Sequence, residues 1–366
     1  MKELVFYNCI INERNIHFFD DKGLPGIIDL DTNRMRYMPG ITNFRCQPWD
    51  MSIFHQGKIY AVSVSGKDLM VYDLDKAKCE YFFLGCDENP WGNFISIFAK
   101  NQEVFIFPTS KRAIRVFNIE KKEIKIINNC EIENTDYSCS CNIDDEIWLV
   151  PRNGKQILVF NMVTKVFNSM ESDLEIKNCV HAIHRKGKIY ILNKFGGIYV
   201  WDIKGKKMDC FLAEQGQEKS AYGRIIYAGK RFILLPSLAD NIQIIDMDKK
   251  EKTIYRDYPK DFGYSTRKWS KYYGYCEDEN YIYFAMRSAN YILKIDKNTG
   301  NIDWVKPILS EKEKYQCIVS YSVMLISEQQ LSLDELLKNV KKRQGYVGND
   351  NIIHSGEKIW RDITVE

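Results

Sequence analysis

Apolar positions along this chain come in short runs rich in Ile, Val, Phe and Tyr, each closed by a cluster of Asp, Asn, Lys, Gly or Thr. The stretch KIYILNKFGGIYVWDIKGKKMDCFL (188–212) shows the unit: an apolar run, a loop, a second apolar run ending in Asp, a tight polar turn, and a third run. β-Branched and aromatic residues bounded by turn formers predict strands, so this stretch reads as three strands of an antiparallel meander. The run ending in Asp or Asn recurs in GIIDLDTNRM, LMVYDLDKAKC, IRVFNIEKKEI, ILVFNMVTKVF, IYVWDIKGKKM, IQIIDMDKKEK and ILKIDKNTGNI. Its last residue is Asp29, Asp73, Asn118, Asn161, Asp202, Asp246 and Asp296, at spacings of 41 to 50 residues. A second run lies about fifteen residues upstream in each copy (NIHFF, KIYAVS, EVFIFP, EIWLVP, KIYILN, RFILLP, YIYFAM). A third strand follows the polar turn, and a fourth precedes the upstream run. Four strands per unit, repeated seven times, predict an all-β chain: a single β-propeller of seven four-stranded antiparallel blades over residues 3–310.

The recurring Asp or Asn has a structural reason. A short carboxylate or amide side chain accepts hydrogen bonds from backbone N–H groups two or three residues on, which closes a hairpin turn. In the order of its strands and its lysine- or threonine-rich turn the unit resembles kelch repeats, in a degenerate form. A double glycine occurs in one copy only (Gly196 and Gly197), and the recurring apolar run ends in a Trp-Asp pair only at Trp201 and Asp202. Beyond the last unit, SLDELLKNVKKR has a capping box (Ser332 with Glu335) and apolar residues at helical spacing. A short C-terminal helix is expected there. The extension 311–366 reads as strand, helix and strand, packed on the ring or closing it.

Composition narrows the function. Lys and Arg number 52 against 49 Asp and Glu, a net charge of +3, which disfavours a nucleic-acid binder that must neutralise many phosphates. No window is apolar and long enough for a membrane span, and the first residues lack the pattern of a secretory signal. The eleven cysteines are scattered, several in strand-like runs (Cys9, Cys79, Cys210). Together these features predict a cytoplasmic protein with reduced, buried thiols.

Catalytic patterns are absent: no phosphate-binding glycine loop, no nucleophile elbow, no zinc-type spacing. His181 and His184 would point to opposite faces of a strand, and Cys139 and Cys141 to one face, where packing explains them. No metal and no cofactor are expected. The candidate site is therefore a rim. Loops entering the innermost strands should share one face of the ring with loops joining the second and third strands. That places Trp49, Trp91, Tyr137, His181, Tyr222, Arg224 and Tyr272 near Arg152 and Arg287. The longest such loop, YPKDFGYSTRKWSKYYGY (258–275), brings Arg267, Trp269, Tyr272 and Tyr273. Aromatic and cationic groups on a rim suit a planar, anionic or peptidic ligand. The residues expected to carry binding are Trp49, Trp91, Arg152, Arg267, Trp269, Tyr272, Tyr273 and Arg287. A non-catalytic propeller that binds a protein or peptide is the favoured reading. The alternative is a propeller lyase, hydrolase or isomerase acting on a saccharide or peptide, with rim carboxylates such as Asp87, Glu88 or Asp136 in its chemistry.

Overall fold

The computed structural model describes residues 6–20, 23–38, 49–85, 94–109, 113–128, 136–212, 221–246, 248–249, 251–262, 272–286 and 289–310. They form twenty-nine strands, β1 to β29, with no helix among the described residues. The first blade is β1 (Phe6–Asn12), β2 (Asn15–Asp20), β3 (Pro25–Asp29) and β4 (Arg34–Tyr37), each antiparallel to the next. Six further four-stranded sheets repeat this order. Their innermost strands are β5 (Trp49–His55), β9 (Phe94–Lys100), β13 (Tyr137–Ile143), β17 (Cys179–Arg185), β21 (Tyr222–Ala228) and β25 (Tyr272–Glu277). Each innermost strand touches the next around the circle, and β1 touches β25, so the ring is closed. The expected seven-bladed propeller is the fold.

Burial follows position in the blade. The second strands, such as Lys58–Ser63 and Glu103–Pro108, are buried along almost their whole length. Each is flanked by strands in its own sheet and by neighbouring blades on both faces. They therefore read as continuous apolar runs rather than alternating ones. Outer strands such as Glu123–Ile127 are largely exposed. The Asp or Asn of every unit caps its turn as expected. Asp29 Oδ1 accepts from the N–H groups of Asp31 and Thr32 at 2.9 and 2.8 Å. Asn161 Oδ1 accepts from Val163 and Thr164, and Asp296 Oδ1 from Asn298 and Thr299.

The chain divides into two units, residues 1–309 and 310–366. The helix and final strand expected in the second unit lie outside the described residues. The outer edge of the first blade is completed differently, by β29 (Ile308–Leu309). This segment runs on from the last blade and pairs in parallel with Arg34 and Met35. Pairing covers an edge that would otherwise offer unmatched backbone groups. Among the described cysteines, six are buried free thiols, Cys139 and Cys141 packing in one cluster with Trp148. Cys210 departs from expectation: it lies in an outer strand, β20 (Lys207–Leu212), and is exposed.

Candidate functional site at the channel mouth

Each innermost strand begins with a buried residue: Phe6, Trp49, Phe94, Tyr137, Cys179, Tyr222 and Tyr272 in ring order. This corrects the expectation of Trp49 and Tyr272 as binding groups on the rim. Each is 1% exposed. Trp49 packs against Phe19 and Tyr81, and Tyr272 against Trp304. Their rings fill the core between blades and present no face to a partner. Tyr137 is buried in the same way, and Tyr222, 2% exposed, is buried at the edge of the channel mouth. Large side chains between adjacent blades keep them close-packed.

Just past the buried residue, every innermost strand slips register against its neighbour, a β-bulge. A bulge leaves a residue out of the ladder and turns the strand, a device common beside functional sites. In ring order the slip releases Asn8, Asp50, Ile95, Ser138, Val180, Gly223 and Gly274, and all seven line one cavity of about 800 Å³. The three residues that follow in the fifth, sixth and seventh blades are His181, Arg224 and Tyr275, and they line it too. This polar collar, rather than an aromatic rim, is what the described residues build.

Its polar lining includes one side-chain amide, several hydroxyls, and the charged Asp50, Asp136, Arg152 and Arg224. The Asn8 amide donates to the Ser52 carbonyl and hydroxyl, each at 3.2 Å. Ser138, Ser140, Thr109 and Ser237 add hydroxyls. Arg224 Nη1 donates to the Gly223 carbonyl at 3.0 Å. Arg152, expected at the mouth, does line the cavity, and there it is paired: its Nε donates to Asp136 Oδ2 at 2.9 Å, both side chains about half exposed. Such an exposed pair contributes little to stability and can exchange its partner for a ligand carboxylate.

Burial, and then the positive charge of Arg224, hold the His181 imidazole well below its ordinary range, so it is neutral at pH 7. Its Nδ1 accepts from the Ile225 N–H at 3.4 Å. The ring meets Tyr275 edge-on, centroids 6.5 Å apart. Tyr275 is 41% exposed, and that surface opens into the channel. Enclosure first, and Glu277 second, push its phenol upward, so it stays protonated. No cluster of three metal-ligating side chains occurs among the described residues. Trp91, Arg267, Trp269, Arg287, Asp87 and Glu88 lie outside the described residues. So does the side chain of Tyr273, although its backbone belongs to β25.

No family model matches this chain, so the kelch resemblance stands without one, and no curated protein matches it. Solved propellers do. A streptogramin B lyase superposes with a TM-score of 0.59 at 12% identity, over 83% of this chain and 95% of that one. A catalytically inactive virginiamycin B lyase from Staphylococcus aureus, bound to quinupristin, gives 0.57 at 13% identity, over 79% and 94%. PorZ of Porphyromonas gingivalis, a surface component of the type-IX secretion system, gives 0.58 at 8% identity. There the match covers 83% of this chain and only 39% of PorZ. At these identities the likeness concerns the fold alone.

Proposed function

We propose that this chain is a non-catalytic propeller that binds a protein or peptide partner, taking an acidic group of that partner into the channel mouth. The observation that carries this reading is the collar itself. Seven bulges turn polar and backbone groups into a cavity of about 800 Å³, with Arg224 in its wall and the Arg152–Asp136 pair at its edge. That volume is within the range of ligand sites. Guanidinium groups bind carboxylates bidentately, and enclosure strengthens the contact. Trp91, Arg267, Trp269 and Arg287 are proposed as further contacts on the surrounding loops.

The test is selection of binding peptides from a displayed random library, then measurement of their affinities by fluorescence polarisation. Acidic peptides should dominate. Arg224→Gln should weaken them at least tenfold, the loss typical of a buried charged contact. Selection of peptides with no acidic residue, or equal affinity for the variant, would sink the reading. A second reading, a lyase acting on a saccharide or peptide, draws on His181 and Tyr275 meeting in the channel and on the shared fold of the two lyases above. Turnover of a saccharide or peptide panel by wild type, lost in His181→Ala, would put it first.

A further inference from the structure

The first and last blades meet along a seam. At its outer edge the chain crosses from one to the other through β29. At its inner edge β1 and β25 are held by side-chain packing, and there two thiols face each other. Cys9 Sγ lies 3.4 Å from Cys276 Sγ, across 267 residues of chain. Both are buried, at 3% and 6% exposure. The Cys9 sulfur is also 4.0 Å from the Tyr283 carbonyl oxygen of the neighbouring strand. A second close pair, Cys139 and Cys179, is also 3.4 Å apart, but it joins successive blades only 40 residues apart.

We propose that Cys9 and Cys276 are a site of oxidative modification, forming a disulfide that locks the ring at its seam. A disulfide bond is about 2.05 Å long, so the sulfurs need approach by little more than 1 Å, within reach of side-chain rotation. The oxidant is a small-molecule disulfide of the glutathione type. One cysteine thiolate attacks it, forming a mixed disulfide and releasing one glutathione thiol. The second cysteine thiolate then attacks the protein sulfur of that mixed disulfide and releases another. In total two protein thiols are oxidised, one glutathione disulfide is reduced, and the two protons end on the departing glutathione sulfurs. Attack requires access and a thiolate, and the closed seam denies both. Enclosure keeps the Cys276 thiol protonated. The bond therefore forms while the ring is closing, and the closed seam then shields it from reduction.

The consequence is particular to this pair. A cross-link spanning 267 residues removes more freedom from the unfolded chain than one spanning 40, although the gain grows only with the logarithm of the span. The experiment is to refold the reduced, full-length chain from denaturant in a glutathione redox buffer, block remaining thiols by alkylation, and map the disulfides by mass spectrometry. A peptide pair linked through Cys9 and Cys276 is expected as the principal cross-link. The urea midpoint should rise by about 1 M over the reduced protein, and fall back when the chain is unfolded, reduced with dithiothreitol and refolded under reducing conditions. A Cys139→Ser/Cys179→Ser variant should keep the rise, and Cys9→Ser should lose it. Folded protein with Cys9 and Cys276 alkylated or glutathionylated would overturn the proposal, and so would a linked pair with an unchanged midpoint. The mapping is made on wild type, so it decides the matter even if a variant fails to fold.

Discussion

Gly229 separates two reasons for a glycine that are usually confounded. It opens the hairpin turn between the first two strands of the sixth blade, at φ 56°. The same turn position in the first five blades holds Glu13, Gln56, Asn101, Asp144 and Lys186, at φ between 48° and 54°. The left-handed backbone is thus compatible with ordinary side chains here, at a cost of about 1 kcal/mol. What distinguishes Gly229 is its neighbour. A Cβ at this position would stand 2.1 Å from the Thr299 carbonyl oxygen and 2.5 Å from the Gly300 nitrogen. These are backbone atoms of the turn in the next blade, and they cannot swing away. Restoring a tolerable separation requires the two blades to part locally by about 1 Å. That strains the hydrogen bond from the Gly229 N–H to the Lys297 carbonyl, 2.9 Å, and the one from Arg231 Nη2 to the Thr299 carbonyl, 3.1 Å. Each has a net value of about 1 kcal/mol. With the backbone cost included, Gly229→Ala should destabilise the protein by about 2 to 3 kcal/mol. The control is Lys186→Ala, at the equivalent turn of the preceding blade, which should change stability by less than about 0.5 kcal/mol. Urea denaturation followed by tryptophan fluorescence reads both. If Gly229→Ala unfolds at the wild-type midpoint, the contact between the sixth and seventh blades is not what the structure depicts.

Two further outcomes bear on the core and on pH. Trp201 is fully buried in the cluster that joins the fourth and fifth blades, so Trp201→Ala should cost about 3 to 5 kcal/mol in the same denaturation assay; a loss below 1 kcal/mol would mean the blades collapse over the cavity. His17 is buried in β2, where enclosure, and secondarily Arg36, lower its imidazole to about 4. Between pH 6.5 and about 4 the unfolded chain binds a proton that the native state does not, so stability falls with pH across that window, by up to about 3 kcal/mol in total. His17→Leu should make that part of the profile shallower, leaving the share of His181, whose imidazole is also lowered by burial, and an identical slope in the variant would exclude His17 as a source.

The blades were legible because their determinants are local and repeated. Asp29, Asp73, Asn118, Asn161, Asp202, Asp246 and Asp296 each close a turn by hydrogen bonds spanning two or three residues, so the sequence neighbourhood contains the whole interaction. The site was harder to see. Trp49 and Tyr272 follow polar loop residues and look like rim aromatics in isolation. Their recurrence was the missed signal: Phe6, Trp49, Phe94, Tyr137, Cys179, Tyr222 and Tyr272 repeat with nearly the period of the turns, as a core position should and a ligand contact need not. His181 and Arg224 stand two residues beyond that position, and Tyr275 three. His181 and Arg224 were legible at the channel mouth from the loops they follow, and both line the cavity; Tyr275 was not, because a bulge shifts which face a side chain occupies and simple strand alternation gives no warning of it.

By itself, then, the sequence determined the unit, its number and its order, since apolar runs, turn caps and spacing are properties of neighbouring residues. It also determined that cysteines such as Cys9 and Cys79 would be buried in apolar strands, though not Cys210. Only the tertiary structure decided which cysteines meet, which aromatics are consumed between blades, and which polar groups converge on the channel. Cys9 and Cys276 are separated by 267 residues, and Asn8 and Arg224 by 216. Their proximity exists only once a wedge-shaped blade has been repeated seven times and the ring has closed on itself.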